Sequence, residues 1–225
     1  MCRSLSVLPP AVGLSPGGFY ASQVKRPLDV MFSLIAIVLL MPVMAVVALA
    51  VFLALGRPIL FFDERAGLKG RAIRIAKFRS MSTGVDSAGN LLPDSDRLDR
   101  FGRFLRRTSL DELPQLFNVF MGDMSLVGPR PLPVRYVARY NPRQYSRLLV
   151  RPGVTGLAQV RGRNAVDWPV RLELDVRYVE ALGGSRACLV DAGIVLATVF
   201  QICSQAITGK GVSGPGVATM KEFLP

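Results

Sequence analysis

The stretch VMFSLIAIVLLMPVMAVVALAVFLAL, residues 30–55, holds 26 consecutive uncharged residues and decides the fold class. Lys25, Arg26 and Asp29 stand before it and Arg57 after it. As one helix rising about 1.5 Å per residue it is roughly 39 Å long, more than the ~30 Å hydrocarbon core of a bilayer needs. Pro42 lies near its middle, where the ring removes a backbone N–H and crowds the preceding turn. Two half-helices of about 18 Å joined at a bend are therefore the alternative, and neither half spans a bilayer by itself. Cationic residues flank both ends, and Lys and Arg are retained on the cytoplasmic side, which favours a re-entrant hairpin bent at Pro42 over a span. The run is longer than a small soluble core asks for, and too long and too late for a cleaved signal peptide.

Outward from that segment, 225 residues suit one domain with a membrane element attached. Half the residues are hydrophobic, with a mean hydropathy of +0.36. Charged residues still make up 20 %, so the apolar matter is concentrated rather than spread evenly. There is no histidine, which removes Ser-His-Asp triads, Cys-His pairs and histidine metal sites together. Chemistry must run on carboxylates, arginines, hydroxyls or a hard metal. Cys2, Cys188 and Cys203 make no C-x-x-C pair, which fits a reducing, cytosol-facing location. The net charge of +12 calls for an anionic partner: nucleic acid, an acidic membrane surface or a phosphorylated substrate.

Residues 1–24 are rich in Pro and Gly and read as a disordered tail, 25–56 as the membrane helix, 57–215 as a cytosolic catalytic domain and 216–225 as a C-terminal tail. Ile59–Phe62 and Ala72–Phe78 flank Gly67 and Gly70 as a hairpin of two short strands. Between Arg97 and Arg107, Leu98, Phe101, Phe104 and Leu105 recur at helical spacing opposite five arginines. That pattern suits an interfacial amphipathic helix on an anionic membrane, or an ordinary surface helix. Arg135, Arg139, Arg143, Arg147 and Arg151 repeat every four residues, interrupted by Pro142, and are expected mostly on a solvated face. Ala187–Ile207 is apolar apart from a few polar residues. Asp191 would be costly deep in lipid, so an interfacial helix is expected rather than a second span. The fold expected is mainly α with a small β-hairpin, an α+β monotopic membrane protein.

Thr108-Ser109-Leu110-Asp111-Glu112-Leu113-Pro114-Gln115 is the chemically suggestive cluster. Ser109 and Glu112 have capping-box spacing, and acids at a helix start complement its dipole. If Asp111 is the N-cap, Pro114 falls where no helix hydrogen bond is lost. The same entrance offers N–H groups to a phosphate, while a carboxylate can attack phosphorus or hold a hard cation such as magnesium. Capping and catalysis both remain open on these residues. Asp94-Ser95-Asp96 is a short acidic triplet expected in a solvated turn. Gly128-Pro129-Arg130-Pro131 and Arg151-Pro152-Gly153-Val154-Thr155-Gly156 set an arginine beside rigid or permissive backbone, as bidentate phosphate binding needs.

Five ordered segments together resemble the bacterial sugar transferase family, the monotopic phosphoglycosyl transferases that act on a polyprenol carrier. They are Lys25–Asp29, Lys77-Phe78-Arg79-Ser80-Met81, Thr108–Asn118, Gly122–Pro131 and Arg151–Val160. The resemblance implies a short single-domain form at the bacterial inner (cytoplasmic) membrane, with a proline-bent re-entrant hairpin and the catalytic domain on the cytosolic face. It implies that Asp111 attacks the sugar-bearing phosphate of a nucleotide sugar, here expected to be a UDP-sugar, and expels UMP. Polyprenol (undecaprenyl) phosphate then takes the sugar phosphate, as a first membrane step of glycan assembly. Glu112 is expected to assist, magnesium (Mg2+) to sit at Asp111, and Lys77, Arg79, Arg130 and Arg151 to bind phosphate. Met41 before Pro42 and Asp99 depart from the family's usual serine and threonine. Partners expected are the nucleotide sugar, polyprenol phosphate and inner-membrane lipids, with no nucleic acid; a homo-oligomer stays open. The alternative is a non-catalytic basic peripheral membrane scaffold that binds anionic lipids.

Overall fold

The computed structural model describes residues 18–87, 89–90, 92–162, 166–208 and 222–223. A π-helical turn, Tyr20–Val24, runs directly into α1 (Lys25–Leu55), so ordered structure begins earlier than the expected boundary at residue 25. Tyr20 is already fixed there, its hydroxyl donating to Asp191 at 2.7 Å. Residues 1–17, the rest of the expected tail, lie outside the described residues.

The uncharged run forms one helical element through Pro42. Its inward stripe is Lys25, Asp29, Ser33, Ile37, Met44, Val47 and Val51, spaced to keep one face on the domain along the whole length. Phe32, Val38, Leu39, Val46, Leu49 and Leu53 form an exposed apolar face far beyond what soluble monomers leave bare. Both ends of α1 close on the same body. At the entrance, Arg26 donates to the carbonyls of Val119 at 2.6 Å and Phe120 at 2.9 Å, and the Leu126 N–H donates to Asp29 at 3.0 Å. At the exit, Arg79 donates to the carbonyls of Leu55, Gly56 and Arg57. Ile37 before Pro42, and Val47 and Val51 after it, share one core with Phe78, Leu105 and Leu116.

β1 (Leu60–Ala66) and β2 (Ala72–Phe78) pair antiparallel, Leu60 opposite Phe78 and Ala66 opposite Ala72; the hairpin is the one expected, but its first strand runs on to Ala66 beyond the expected end at Phe62. After α2 (Asp94–Arg97), Asp99 caps α3 (Arg100–Thr108) by accepting from the Gly102 N–H at 2.6 Å. The apolar residues of α3 divide: Leu105 is buried and Phe104 is exposed. α4 (Gln115–Met121) follows. β3 (Ser125–Val127) then pairs in parallel with β4 (Gly153–Thr155), a second small sheet that three-residue strands gave no periodicity to reveal. α5 (Pro142–Tyr145) and α6 (Leu157–Val160) are short, while α7 (Trp168–Ala181) and α8 (Ala187–Thr208) complete the helical layer.

α1 and α8 are the two helices, among the described residues, long and apolar enough to cross a membrane. Asp191 on α8 faces inward. Lys25 donates to it at 2.5 Å, Tyr20 at 2.7 Å and Tyr178 at 2.8 Å, while Leu189, Leu196, Val199 and Phe200 point outward. One residue breaks the expectation for the arginine ladder. Arg147 is 2 % exposed and pairs with Asp175 at 2.8 Å, because the chain folds as separate short turns here and each arginine meets its own surroundings. Of the expected tail 216–225, Glu222 and Phe223 are described, and Phe223 is packed among Tyr136, Tyr140 and Trp168 rather than trailing in solvent.

Candidate active site

Asn118 is the pin that assembles the site. From α4 its side-chain carbonyl accepts from the Ala76 N–H at 3.0 Å, and its amide donates to the Arg74 carbonyl at 2.8 Å. A β-strand backbone is thereby bonded to a helix side chain, which brings Lys77, the next residue along β2, beside the turn preceding α4. That turn is a 3-10 turn, Leu110–Glu112, entered through Ser109 in a left-handed conformation with φ 57°. Two residues of it are acids.

Capping does not occupy them. Pro114 is the N-cap of α4 and offers no side-chain cap, so the expected N-cap role of Asp111 and the Ser109–Glu112 box are both absent. Pro114 sets the reason: it begins the helix without needing an N–H partner, leaving the acids one turn upstream.

The two carboxylates meet different surroundings. Glu112 accepts from Arg130 at 2.8 Å and from Lys77 at 3.4 Å. Burial pushes its carboxyl up, but Arg130 and Lys77 outweigh that and hold it well below the usual range. Asp111 is 7 % exposed, and among the described residues its carboxylate accepts no hydrogen bond. Burial first, then the neighbouring Glu112 charge, push it up to about 6 against the opposing pull of Lys77, Arg106 and Arg130. A pair whose members are driven apart in this way presents one carboxylate held as an anion and one with raised proton affinity. Asp111 remains ionised at neutral pH, yet is more basic than a free aspartate.

Arg130 reaches Glu112 because two loops cross at glycines. The Gly128 N–H donates to the Thr155 carbonyl at 2.8 Å, and the Gly153 N–H donates to the Pro129 carbonyl at 3.0 Å. A Cβ on Gly153 would lie 2.0 Å from the Gly128 nitrogen, so backbone meets backbone with no room for a side chain. The two glycine-containing arginine motifs are thus one structural unit. Arg65, Ile75, Lys77, Gln115, Arg130 and Pro131 line a cleft against it.

The structure brings Lys77 and Arg130 to the acids and sends two other sequence candidates elsewhere. The Arg79 guanidinium closes the C-terminal end of α1, and Arg151 donates to the Gly122 carbonyl at 2.9 Å behind α4. Pro42 lies in α1, away from the acids. Arg106, one turn before the acidic pair on α3, was read in the sequence only as part of an amphipathic face; it acts on Asp111 while donating to Ser80 at 2.9 Å. Its distance of five residues from Asp111 was the available signal. Asp94 pairs with Arg97 at 3.7 Å within the short helix α2, where the sequence predicts a solvated turn.

Magnesium fits this donor set. Glu112 is spent on two cations, whereas Asp111 keeps its oxygens unbonded, and magnesium is commonly held by one or two carboxylates together with substrate phosphates and water. Among the described residues no group of three or more acids or cysteines forms a self-sufficient metal cage.

Residues 20–205 match the family model described as bacterial sugar transferase. The chain is 41 % identical over 197 residues to a Bacillus subtilis protein named uncharacterized sugar transferase EpsL, covering 86 % of this chain and 94 % of that one. It is 38 % identical over 201 residues to the exopolysaccharide production protein PSS of Rhizobium leguminosarum, covering 83 % and 97 %. To the UDP-glucose:undecaprenyl-phosphate glucose-1-phosphate transferase of Klebsiella pneumoniae it is 37 % identical over 183 residues; that match covers 79 % of this chain and spans 39 % of the relative's length.

Proposed function

The chain belongs to the bacterial sugar transferase family, and we propose that this transferase moves a sugar 1-phosphate from a nucleotide sugar, a UDP-sugar by the names of its relatives, to polyprenol phosphate. One observation carries the reading: Asp111 is buried, unbonded and more basic than a free aspartate, beside a Glu112 already neutralised by Lys77 and Arg130.

In the first step an Asp111 oxygen attacks the phosphorus that bears the sugar. The bond from that phosphorus to the bridging oxygen breaks, the nucleoside monophosphate departs with the bonding electrons, and the sugar phosphate is left on the carboxylate. In the second step a phosphate oxygen of the polyprenol attacks the same phosphorus and Asp111 leaves as a carboxylate, giving polyprenyl diphosphate sugar. Lys77 and Arg130 face the charge that grows on the phosphate oxygens, and Arg106 adds a third cation on the Asp111 side. Glu112, held low by Arg130 and Lys77, is the weaker proton acceptor of the pair. Its work is to hold Lys77 and Arg130 and to raise the basicity of its neighbour. A magnesium ion, held by Asp111 and the diphosphate, would supply further neutralisation of concentrated negative charge. Arg79 and Arg151 then serve the scaffold, as a helix cap and a turn anchor.

We propose a monotopic membrane disposition, on the support of the same contacts. α1 enters and leaves on one domain, which supports a re-entrant segment at the cytosolic face of the inner membrane. α8 leads to Glu222 and Phe223, which are bound to that same domain. On α8, Asp191 faces the domain while Leu189, Leu196, Val199 and Phe200 face outward, which supports a helix lying along the bilayer. A purely lipid-binding scaffold gives no reason to bury an unbonded carboxylate.

The test is nucleotide release across a panel of UDP-sugars, with polyprenol phosphate in nanodiscs. With donor alone, mass spectrometry is expected to find a sugar-phosphate adduct on Asp111. Turnover without any adduct at that position, under quench conditions that preserve acyl phosphates, counts against the covalent step.

A further inference from the structure

Phe223 is 4 % exposed, although it lies fifteen positions beyond the end of α8 at Thr208. Its ring sits 5.6 Å from that of Tyr136, 6.0 Å from Tyr140 and 5.4 Å from Trp168, in tilted and edge-on arrangements that aromatic quadrupoles favour. The backbone is matched as well. The Phe223 N–H donates to the Tyr136 hydroxyl at 3.1 Å, and Arg139 donates to the Phe223 carbonyl. Arg139 also binds the Glu222 carboxylate at 3.0 Å, joined by Arg135 at 3.5 Å, and both guanidinium groups lie over the Tyr136 ring at 5.2 and 5.5 Å. An aromatic slot, a donor to the carbonyl, an acceptor for the N–H and two cations for the acid are the parts of a peptide-recognition site.

The slot also touches the catalytic layer. The Tyr140 hydroxyl accepts from Arg147 at 3.2 Å, and Arg147, fixed to Asp175, donates to the Arg130 carbonyl at 2.6 Å. Arg130 is the residue whose side chain holds Glu112. We propose that the groove of Tyr136, Tyr140 and Trp168, edged by Arg135 and Arg139, is a recognition site for an acidic–aromatic peptide. Its ligand is the chain's own Glu222-Phe223, and its filling fixes Arg130 beside Glu112. Phe223 is thus a positioning residue, acting through Tyr140 and Arg147. The recognition half stands on contacts alone, whereas the coupling half rests on the proposed function.

The chain contains one tryptophan, so its emission reports the groove directly. In the full-length protein, Phe223→Ala is expected to shift Trp168 emission to the red. The peptide ATMKEFLP, residues 218–225, restores the emission of that variant and leaves the wild type unchanged, because its groove is filled. Adding Arg139→Gln leaves the three rings of the slot in place and raises the peptide concentration needed roughly tenfold or more, since Arg139 bonds both the Glu222 carboxylate and the Phe223 carbonyl. Identical emission from wild type and Phe223→Ala overturns the recognition site; so does a peptide that shifts both proteins equally, since the groove is then open. Coupling is read on kcat against KM. Phe223→Ala lowers kcat roughly tenfold, as small displacements of positioning groups do, with KM little changed; the peptide and Phe223→Leu each restore kcat. A responsive emission with kcat unmoved overturns the coupling and leaves the recognition site standing. An active Asp111→Asn variant overturns the proposed function, while the emission result is untouched.

Discussion

Asp111 and Asp191 are both less than a tenth exposed, yet they occupy opposite chemical positions. Asp191 accepts from Lys25, Tyr20 and Tyr178, and ties the entrance of α1 to α7 and α8. Asp111 accepts from nothing among the described residues and is held only by the field of Lys77, Arg106 and Arg130. Burying an ionised carboxylate is costly unless hydrogen bonds replace its water. The knot at Asp191 meets that cost with hydrogen bonds; at Asp111 no hydrogen bond among the described residues meets it, and Lys77, Arg106 and Arg130 offset part of it. Equal burial therefore identifies neither a structural nor a reactive acid, and the partner list does.

Asparagine at each position breaks the comparison most directly. Asp111→Asn removes the proposed nucleophile and is expected to lower nucleotide release by roughly a thousandfold or more, as loss of a covalent nucleophile commonly does. Thermal unfolding in detergent should stay at or slightly above the wild-type temperature, because an uncompensated buried charge has gone. Asp191→Asn does the reverse. It leaves Lys25 buried without its anion and is expected to cost about 3 kcal/mol of stability, read by denaturant titration, while the folded fraction keeps its turnover. Replacing both partners, as in Lys25→Met with Asp191→Leu, should recover much of that loss. A stable Asp191→Asn protein with lost turnover would invert the assignment of the two acids.

The division was partly legible in the sequence. The uncharged run 30–55 announced α1, and short apolar stretches flanking Gly67 and Gly70 announced the hairpin of β1 and β2, because both signals are local. The acidic pair with Lys77 and Arg130 emerged from the ordered motifs. What stayed hidden depends on contacts far apart in the chain. Nothing near Arg147 announces Asp175, nothing near Arg79 shows that it closes a helix 24 residues earlier, and the docking of Phe223 needs a groove built from residues 136–168. The capping expectation for Asp111 failed for a local reason, since Pro114 starts α4 and shifts its entrance away from the acids.

Arg130 and Arg79 extend the comparison from acids to their cations. Arg130→Ala frees Glu112 from one of its two partners and removes charge that faces the phosphates, with an expected loss of roughly a hundredfold in kcat/KM. Arg79→Ala uncovers the last carbonyls of α1 and is expected to cost about 1 kcal/mol of stability, with a much smaller change in turnover. Steady-state kinetics beside thermal unfolding separates them. An Arg79 variant that folds normally but loses as much activity as the Arg130 variant would return Arg79 to the phosphate site.

The smallest effect is the sharpest on mechanism, because it reads the field between the two acids rather than the presence of either. Asp111 must be ionised to attack, so turnover should fall as pH drops through its raised value near 6. In the absence of substrate the folded state holds that proton more tightly than the unfolded chain does. Stability therefore carries a component that is present at low pH, is lost as pH rises between the ordinary aspartate value and about 6, and is absent in Asp111→Asn. Glu112→Gln keeps the shape of the neighbour but removes its charge, and that charge is one of the two causes holding Asp111 up. The acid limb of the rate should then move to lower pH by roughly one pH unit. A Glu112 that worked as a proton acceptor would abolish the limb or flatten it, whereas a Glu112 that works as a fixed anion displaces it and leaves its slope intact.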